Sequence, residues 1–243
     1  MTGLISFARP DGATVPAYLA EPEHRTESSP SSSPRGGVVV LQEWWGLNPQ
    51  IRTVADRLAA AGYRALVPDL YRGQLAQTAA EAQQLMGSLN REEVVQQDIA
   101  GAIQYLKTSV PKVAVIGFCL GGALTLAAAS AQLEFEAAVC FYGIPPLDEV
   151  DPGQIRMPLQ AHFANQDDWC NPTLVDQLEE RLRQGQVPFT LYRYEAQHAF
   201  MNDTRPEVYD AAAATLAWER LLSFLDTQLS GLPPVQSNSQ SPA

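Results

Sequence analysis

The chain has 243 residues, of which 46% are hydrophobic and 18% are charged, and its formal net charge is −11. This length is enough for one large domain with a sizeable buried core. The acidic balance argues against a nucleic-acid partner, because phosphate binding needs a basic face, and no apolar run is long enough to cross a membrane.

The three cysteines, Cys119, Cys140 and Cys170, form neither an even disulfide set nor a CxxC metal pair. The N-terminus has no basic segment followed by an apolar run, so we expect no signal peptide. Because a free thiol is safest in a reducing compartment, we expect a cytoplasmic protein. The sequence has no HExxH motif or Cys/His ligand cluster, and we expect no metal and no cofactor.

Two segments are predicted to lie outside the folded core. Residues 24–36 are rich in Ser and Pro, which is typical of an exposed loop. Residues 231–243 have no apolar periodicity, which is typical of a disordered tail. We interpret residues 1–230 as a single domain that begins with a β-hairpin.

Strand and helix patterns alternate along the rest of the chain. Short, nearly continuous apolar runs, typical of strands covered on both faces, occur at residues 37–42, 63–69, 112–118, 136–143, 158–165 and 188–195. Helical patterns lie at 48–62, 91–108, 173–185 and 205–229. The first of these helices has Asn48 as predicted N-cap, Pro49 at its first position and Gly62 just past its end. The second places Val94, Val95, Ile99, Ile103 and Leu106 on one face.

This alternation after a leading hairpin predicts an α/β fold with a mostly parallel central sheet and helices on both faces. In such sheets ligands bind beyond the carboxyl ends of the strands, so the loops that follow the strands are where functional residues are expected.

Cys119 follows the predicted strand at 112–118 in the pattern Gly-Phe-Cys-Leu-Gly-Gly. This is the G-x-S-x-G nucleophile elbow with cysteine in place of serine. A thiol at the start of the next helix would be stabilised as a thiolate, and the amide of Leu120 would face an oxyanion. The alternative is a small buried cysteine that fits a tight turn.

His198 follows the last predicted strand, at 188–195, on a loop from which an imidazole can reach a neighbouring strand end. His24 lies in the Ser/Pro-rich segment, and His162 falls inside an apolar strand as a hydrogen-bonded core residue. Asp167 follows the strand at 158–165 and is the candidate that orients the imidazole, with Asp168 as the competing choice.

Glu43 follows the predicted strand at 37–42, beside two tryptophans, where a carboxylate is costly to bury unless it is paired. It is interpreted either as a carboxylate at the rim or as a group near the Cys119 sulfur that takes the thiol proton or keeps the thiol neutral. The Trp44 amide is the candidate second oxyanion donor.

The stretches "QEWWGLN", "VPDLYRG", "GFCLGGALTLAAA", "CFYG", "NQDDW" and "QHAFMND" together resemble the dienelactone hydrolase (carboxymethylenebutenolidase) family, from the N-terminal hairpin to about residue 225. The resemblance implies an α/β-hydrolase fold and hydrolysis of an ester or lactone through an acyl-cysteine. It implies a Cys119–His198–Asp167 triad and Glu43 as the group that activates the thiol. It also implies an oxyanion hole from the Trp44 and Leu120 amides.

The sequence departs from this family where two arginines are expected to hold a substrate carboxylate. Residues 73–90 contain no Arg or Lys, and the position four beyond His198 is Asn202. Arg72 and Arg205 lie nearby and are candidate replacements. The candidate substrate-contacting residues are therefore Arg72, Tyr142, Trp169, Phe200, Asn202 and Arg205.

Four interpretations follow. The leading one is a cysteine-dependent ester or lactone hydrolase that acts on a small molecule as a monomer. The alternatives are a broad carboxylesterase or thioesterase on the same scaffold, a non-catalytic ligand-binding domain, and a redox sensor at Cys119 with Cys170 as partner.

Overall fold

The centre of the protein is one sheet of eight strands, in the order β1-β2-β4-β3-β5-β6-β7-β8. The computed structural model describes residues 2–22 and 34–230, so the predicted tail and most of the predicted loop at 24–36 lie outside the described residues. The strands are β1 Gly3–Ala8, β2 Thr14–Ala20, β3 Gly37–Leu41, β4 Arg64–Pro68, β5 Val113–Phe118, β6 Ala137–Phe141, β7 Leu159–Gln166 and β8 Phe189–Gln197.

The hairpin of β1 and β2 joins β4 in antiparallel pairing, and every other neighbouring pair is parallel. The predicted mostly parallel sheet and N-terminal hairpin are therefore confirmed. All residues of β3, β5 and β6 are buried, as expected for strands with helices on both faces.

The helices pack on the two faces of this sheet and complete two apolar clusters, one on each side. They are α1 Pro49–Ala60, α2 Ala79–Ser88, α3 Arg91–Glu93, α4 Ala100–Lys107, α5 Leu120–Ser130, α6 Pro172–Gln184 and α7 Ala211–Leu225. A π-helical segment, Val94–Ile99, joins α3 to α4, a second one, Asp226–Ser230, follows α7, and Pro152–Gln154 is a 3₁₀ turn.

Helix α1 begins and ends where its capping residues predict. The Asn48 side chain accepts a hydrogen bond from the Ile51 amide at 3.0 Å, and Pro49 is the first helical residue. Gly62, just past the helix, has a φ of +97°, a conformation that glycine adopts without steric cost.

The closing helix begins later than predicted. Residues 206–208 form a turn, and Asp210 caps α7 by accepting a hydrogen bond from the Ala213 amide at 2.9 Å. Helix α2 is not among the predicted elements. Ala82 is its only buried residue, so its sequence shows no apolar stripe.

The register of the parallel strands brings their carboxyl ends to one edge. Leu41 of β3 pairs with Gly117 of β5, and Phe118 pairs with Phe141 of β6. The residues that follow these strands therefore meet above the same edge of the sheet, which is where the candidate site forms.

Candidate active site

Cys119 lies on a strained turn between β5 and α5. Its φ of 54° and ψ of −114° are outside the regions that residues other than glycine usually occupy. The Cys119 amide donates to the Phe141 carbonyl at 3.0 Å, which ties the turn to the end of β6. A side chain at Gly117 or Gly121 would overlap backbone atoms of Gly121 or Leu41, so both glycines are required for this close approach.

The Cys119 sulfur faces the imidazole of His198. The distance from Sγ to Nε2 is 3.2 Å, and the opposite ring nitrogen, Nδ1, lies 2.7 Å from Oδ2 of Asp167. His198 follows β8 directly and Asp167 follows β7 directly. Three strand ends thus place a sulfur, an imidazole and a carboxylate in one hydrogen-bonded line.

Asp167 is fixed by the backbone as well as by the imidazole. Its Oδ1 accepts hydrogen bonds from the amides of Trp169 at 2.7 Å and Cys170 at 2.9 Å, while Oδ2 faces His198. The Asp167 side chain is buried, whereas Asp168 is exposed. The carboxylate that contacts the imidazole is therefore that of Asp167.

The surroundings of His198 favour its charged form. Burial lowers the pKa of His198, but the hydrogen bonds with Asp167 and Cys119 outweigh it and raise the pKa to about 10. A protonated ring between Asp167 and Cys119 is the electrostatic setting that stabilises a thiolate.

Glu43 is a buried carboxylate beside this line of residues, 3% exposed. Its Oε1 accepts from the Tyr142 hydroxyl at 3.2 Å, and its Oε2 accepts from Nδ2 of Asn202 at 2.8 Å. Burial raises the pKa of Glu43, while the Asn202 hydrogen bond and the charge of His198 oppose the rise. Neither of its two hydrogen bonds reaches the Cys119 sulfur.

The two backbone amides predicted to stabilise an oxyanion have no hydrogen-bond partner among the described residues. Leu120 is the first residue of α5, so its N–H has no partner within the helix. Within the described part of the chain, the N–H of Trp44 donates to no backbone or side-chain acceptor. The Trp44 indole packs edge-to-face against Trp169, with ring centroids 5.5 Å apart.

A cavity of about 720 Å³ opens at Cys119 and His198. Of the candidate substrate-contacting residues, Tyr142 and Trp169 line it. Phe200 is fully buried and packs behind Tyr142, with ring centroids 5.5 Å apart. Asn202 is buried beneath the site, where it binds Glu43.

The two candidate arginines have other partners. The Arg72 guanidinium binds both carboxylate oxygens of Asp98 at 2.8 Å. Arg205 binds Glu207 at 2.8 Å, and its guanidinium lies 5.8 Å from the centroid of the Trp45 ring. Neither arginine lines the cavity.

Tyr71 is a residue that the sequence reasoning missed. Its hydroxyl is buried and has no hydrogen-bond partner among the described residues. Burial and, secondarily, the charge of Cys119 raise the pKa of Tyr71. Its position just after β4, in "PDLYRG", is the signal that could have identified it.

His162 lies in the core, hydrogen-bonded to the Tyr194 hydroxyl at 2.8 Å and to Oε1 of Gln160 at 3.0 Å. Burial lowers the pKa of His162 to about 3. It is therefore a neutral structural residue, in agreement with its predicted role.

The sheet order, the strand-end site and the elbow define this protein as an α/β hydrolase. The family model described as "Dienelactone hydrolase family" matches residues 15–229. The chain therefore belongs to the dienelactone hydrolase family, and it is a hydrolase that acts on carboxylic ester or lactone bonds.

Two relatives match most of the chain. Protein usf from Aquifex pyrophilus is 31% identical over 240 residues, which cover 94% of this chain and 100% of that protein. Carboxymethylenebutenolidase 1 from Cupriavidus pinatubonensis is 31% identical, with 88% of this chain and 92% of that protein covered.

The fold has a solved counterpart in a dienelactone hydrolase-like promiscuous phosphotriesterase from metagenomic libraries. That structure superposes with a TM-score of 0.79 at 24% identity and covers 93% of this chain and 98% of its own. In the described residues, no helix is both long and apolar enough to cross a membrane.

Proposed function

We propose that the protein hydrolyses a carboxylic ester or lactone through an acyl-cysteine intermediate, with Cys119 as nucleophile, His198 as acid and base, and Asp167 as the group that orients His198. The observation that carries the proposal is the continuous line of contacts, 3.2 Å from Cys119 to His198 and 2.7 Å from His198 to Asp167.

Acylation begins with the Cys119 thiolate, paired with protonated His198. The sulfur attacks the carbonyl carbon, and the carbonyl electron pair moves to oxygen, where the Trp44 and Leu120 amides stabilise it. When the intermediate collapses, the carbon–oxygen ester bond breaks and the leaving alkoxide takes a proton from His198. A thioester on Cys119 and a free alcohol result.

Deacylation uses the neutral imidazole left by the first step. His198 takes a proton from water as the water oxygen attacks the thioester carbon. The second intermediate then expels the Cys119 thiolate and releases the carboxylic acid. The thiolate and the protonated His198 are thereby restored, so no further reactant is needed.

Asp167 and Glu43 support this cycle without contacting the reacting carbon. Asp167 holds the imidazole with Nε2 toward the sulfur. Glu43 places a second carboxylate near the charge that forms on His198, with its own position fixed by Tyr142 and Asn202. We assign Glu43 to electrostatic support of the charged pair.

A broad carboxylesterase or thioesterase is the second candidate function. The position four beyond His198 is Asn202, and its amide is bound to Glu43. Arg72 and Arg205 are paired with Asp98 and Glu207, and neither lines the cavity, so neither candidate arginine is placed to hold a substrate carboxylate.

The test compares wild-type protein with Cys119→Ala on 4-nitrophenyl butanoate, lactones and thioesters, with Cys140→Ala as the matched control. We expect turnover to be lost in Cys119→Ala and retained in the control, with both variants folded by circular dichroism. Turnover by Cys119→Ala at the wild-type rate would overturn the assignment of the nucleophile. If folded wild-type protein turns over none of these substrates, the result would favour a ligand-binding protein.

A further inference from the structure

The cavity at Cys119 continues away from the reacting groups along helix α5. Leu120, Ala123, Leu124, Ala127 and Ala131 all line it, at the spacing of one face of a helix. Helix α5 has 11 residues and is therefore about 16 Å long at 1.5 Å per residue. The cavity thus extends far beyond what an acyl group of a few carbons would fill.

The rest of the groove lining is also largely apolar. It includes Met86 of α2, Val95 of the π-helical segment, and Ile144, Pro145 and Leu147 after β6. Small alanines on α5 leave the space open, while the larger side chains close its flanks. An aliphatic chain in this groove would be partly removed from water where it contacts these apolar side chains.

The charged residues of the groove do not favour an anionic chain. Away from the reacting groups, Glu92 and Glu149 line it together with Arg91, the only arginine or lysine among its described lining residues. The Arg91 guanidinium lies 4.0 Å from a carboxylate oxygen of Glu149, and because both side chains are exposed, Glu149 offsets its charge only in part. The two carboxylates outnumber the one arginine, so a negatively charged end group on a bound chain is disfavoured here.

We propose that the substrate is an uncharged ester or lactone that carries an extended apolar chain, and that this chain lies along α5 between Cys119 and Ala131. The proposal rests on the proposed function, since Cys119 supplies the reacting end. Ala127 determines how far the chain extends, because its small side chain lines the groove about two helical turns beyond Leu120.

The expected preference follows from the area buried. Each methylene that the groove fully buries raises kcat/KM about fourfold, the fold-change that corresponds to ~0.8 kcal/mol. Because burial along the groove is partial, we expect 4-nitrophenyl decanoate to exceed the butanoate ester by at least about tenfold. The mono-4-nitrophenyl ester of decanedioic acid, whose chain ends in a carboxylate, is expected to show no increase in kcat/KM over the butanoate ester.

The experiment measures kcat/KM for two pairs of esters. One pair is 4-nitrophenyl butanoate and decanoate, with the chain in the acyl part, and the other is butyl and decyl acetate, with the chain in the alcohol part. A rise in either pair supports the proposal and shows which part occupies the groove. Long-to-short ratios of kcat/KM near one in both pairs would overturn it. A higher kcat/KM for the carboxylate-ended monoester than for the decanoate ester would also overturn it.

The variant Ala127→Phe tests whether the apolar chain of the substrate passes Ala127. The matched control is Ala212→Phe, on the exposed face of α7. We expect Ala127→Phe to bring the long-to-short ratio close to one, and the control to keep the wild-type ratio. An unchanged ratio in folded Ala127→Phe would place the chain elsewhere and refute the proposal. If that variant does not fold, Ala127→Leu takes its place: a long-to-short ratio below that of wild-type protein supports the proposal, and an unchanged ratio refutes it.

The short esters separate this proposal from the proposed function. Cys119-dependent turnover of the butanoate ester without a chain-length effect would refute the apolar chain and leave the hydrolase mechanism standing. No Cys119-dependent turnover of any ester would refute both.

Discussion

Replacing Asp167 by asparagine tests the orientation of the imidazole with almost no change in shape. Oδ1 of Asp167 accepts two backbone hydrogen bonds, from Trp169 and Cys170, and Oδ2 faces Nδ1 of His198. In Asp167→Asn the amide oxygen has to keep the two backbone donors. The amide NH₂ is then directed at the imidazole.

The alternative orientation of the amide is the costlier one. Turning NH₂ toward the Trp169 and Cys170 amides would leave both donors unpaired, and the buried Cys170 amide alone would cost about 1–3 kcal/mol. With NH₂ toward Nδ1, His198 has to accept there and carry its proton on Nε2, facing Cys119. An imidazole in that tautomer cannot take a proton from the thiol or from water.

The expected loss in kcat is about 10⁴-fold, as for the same change in other nucleophile–histidine–acid sites, or ~5 kcal/mol of transition-state free energy. The assay is steady-state turnover of 4-nitrophenyl butanoate, with Asp168→Asn as the matched control. We expect the control to keep kcat within about twofold, because surface substitutions have small effects. Equal losses in both variants, or a larger loss in Asp168→Asn, would refute the reasoning.

Three further outcomes are expected. Glu43→Gln removes a buried negative charge near His198 and should lower the pKa of His198 from its value of about 10, measured by NMR titration of the ring protons; no shift would contradict the electrostatic role. The pKa of His162 is lowered from 6.5 to about 3 by burial, so its neutral form stabilises the fold above pH 6.5 and this contribution is lost as pH falls. The free energy of unfolding, measured by denaturant titration at several pH values, should therefore fall more steeply with decreasing pH in wild-type protein than in His162→Gln. The difference should be about 1.4 kcal/mol per pH unit between pH 6 and 4, and an equal pH dependence in both proteins would exclude this contribution. Iodoacetamide should alkylate half-buried Cys119 well before Cys140, which is buried and has its pKa raised to about 12; peptide mass spectrometry showing the reverse order would contradict the described burial.

The inner parallel strands could be predicted from the sequence because each is a short, nearly continuous apolar run that is buried over most of its length. The loops after these strands then identified Cys119, Asp167, His198 and Glu43, since a parallel sheet brings such loops to one edge. The choice between Asp167 and Asp168 depends on the contact of Asp167 with His198 and on the burial of its side chain, which only the folded chain shows.

The features that could not be predicted depend on contacts between distant segments. Helix α2 has Ala82 as its only buried residue and so no apolar stripe. The pairing of Arg72 with Asp98 joins two positions far apart in the chain, and the hydrogen bond between Asn202 and Glu43 does the same. The groove along α5 is lined by residues from separate segments of the chain, and the sequence of no single segment predicts it.

The central claim is that Cys119 carries the acyl group during turnover. Acid quenching of wild-type protein during hydrolysis of 4-nitrophenyl butanoate, followed by peptide mass spectrometry, measures this directly. We predict a butanoyl group on the peptide that contains Cys119, and unmodified peptides that contain Cys140 and Cys170. A butanoyl group on another side chain in turning-over enzyme, with Cys119 unmodified, would contradict the account.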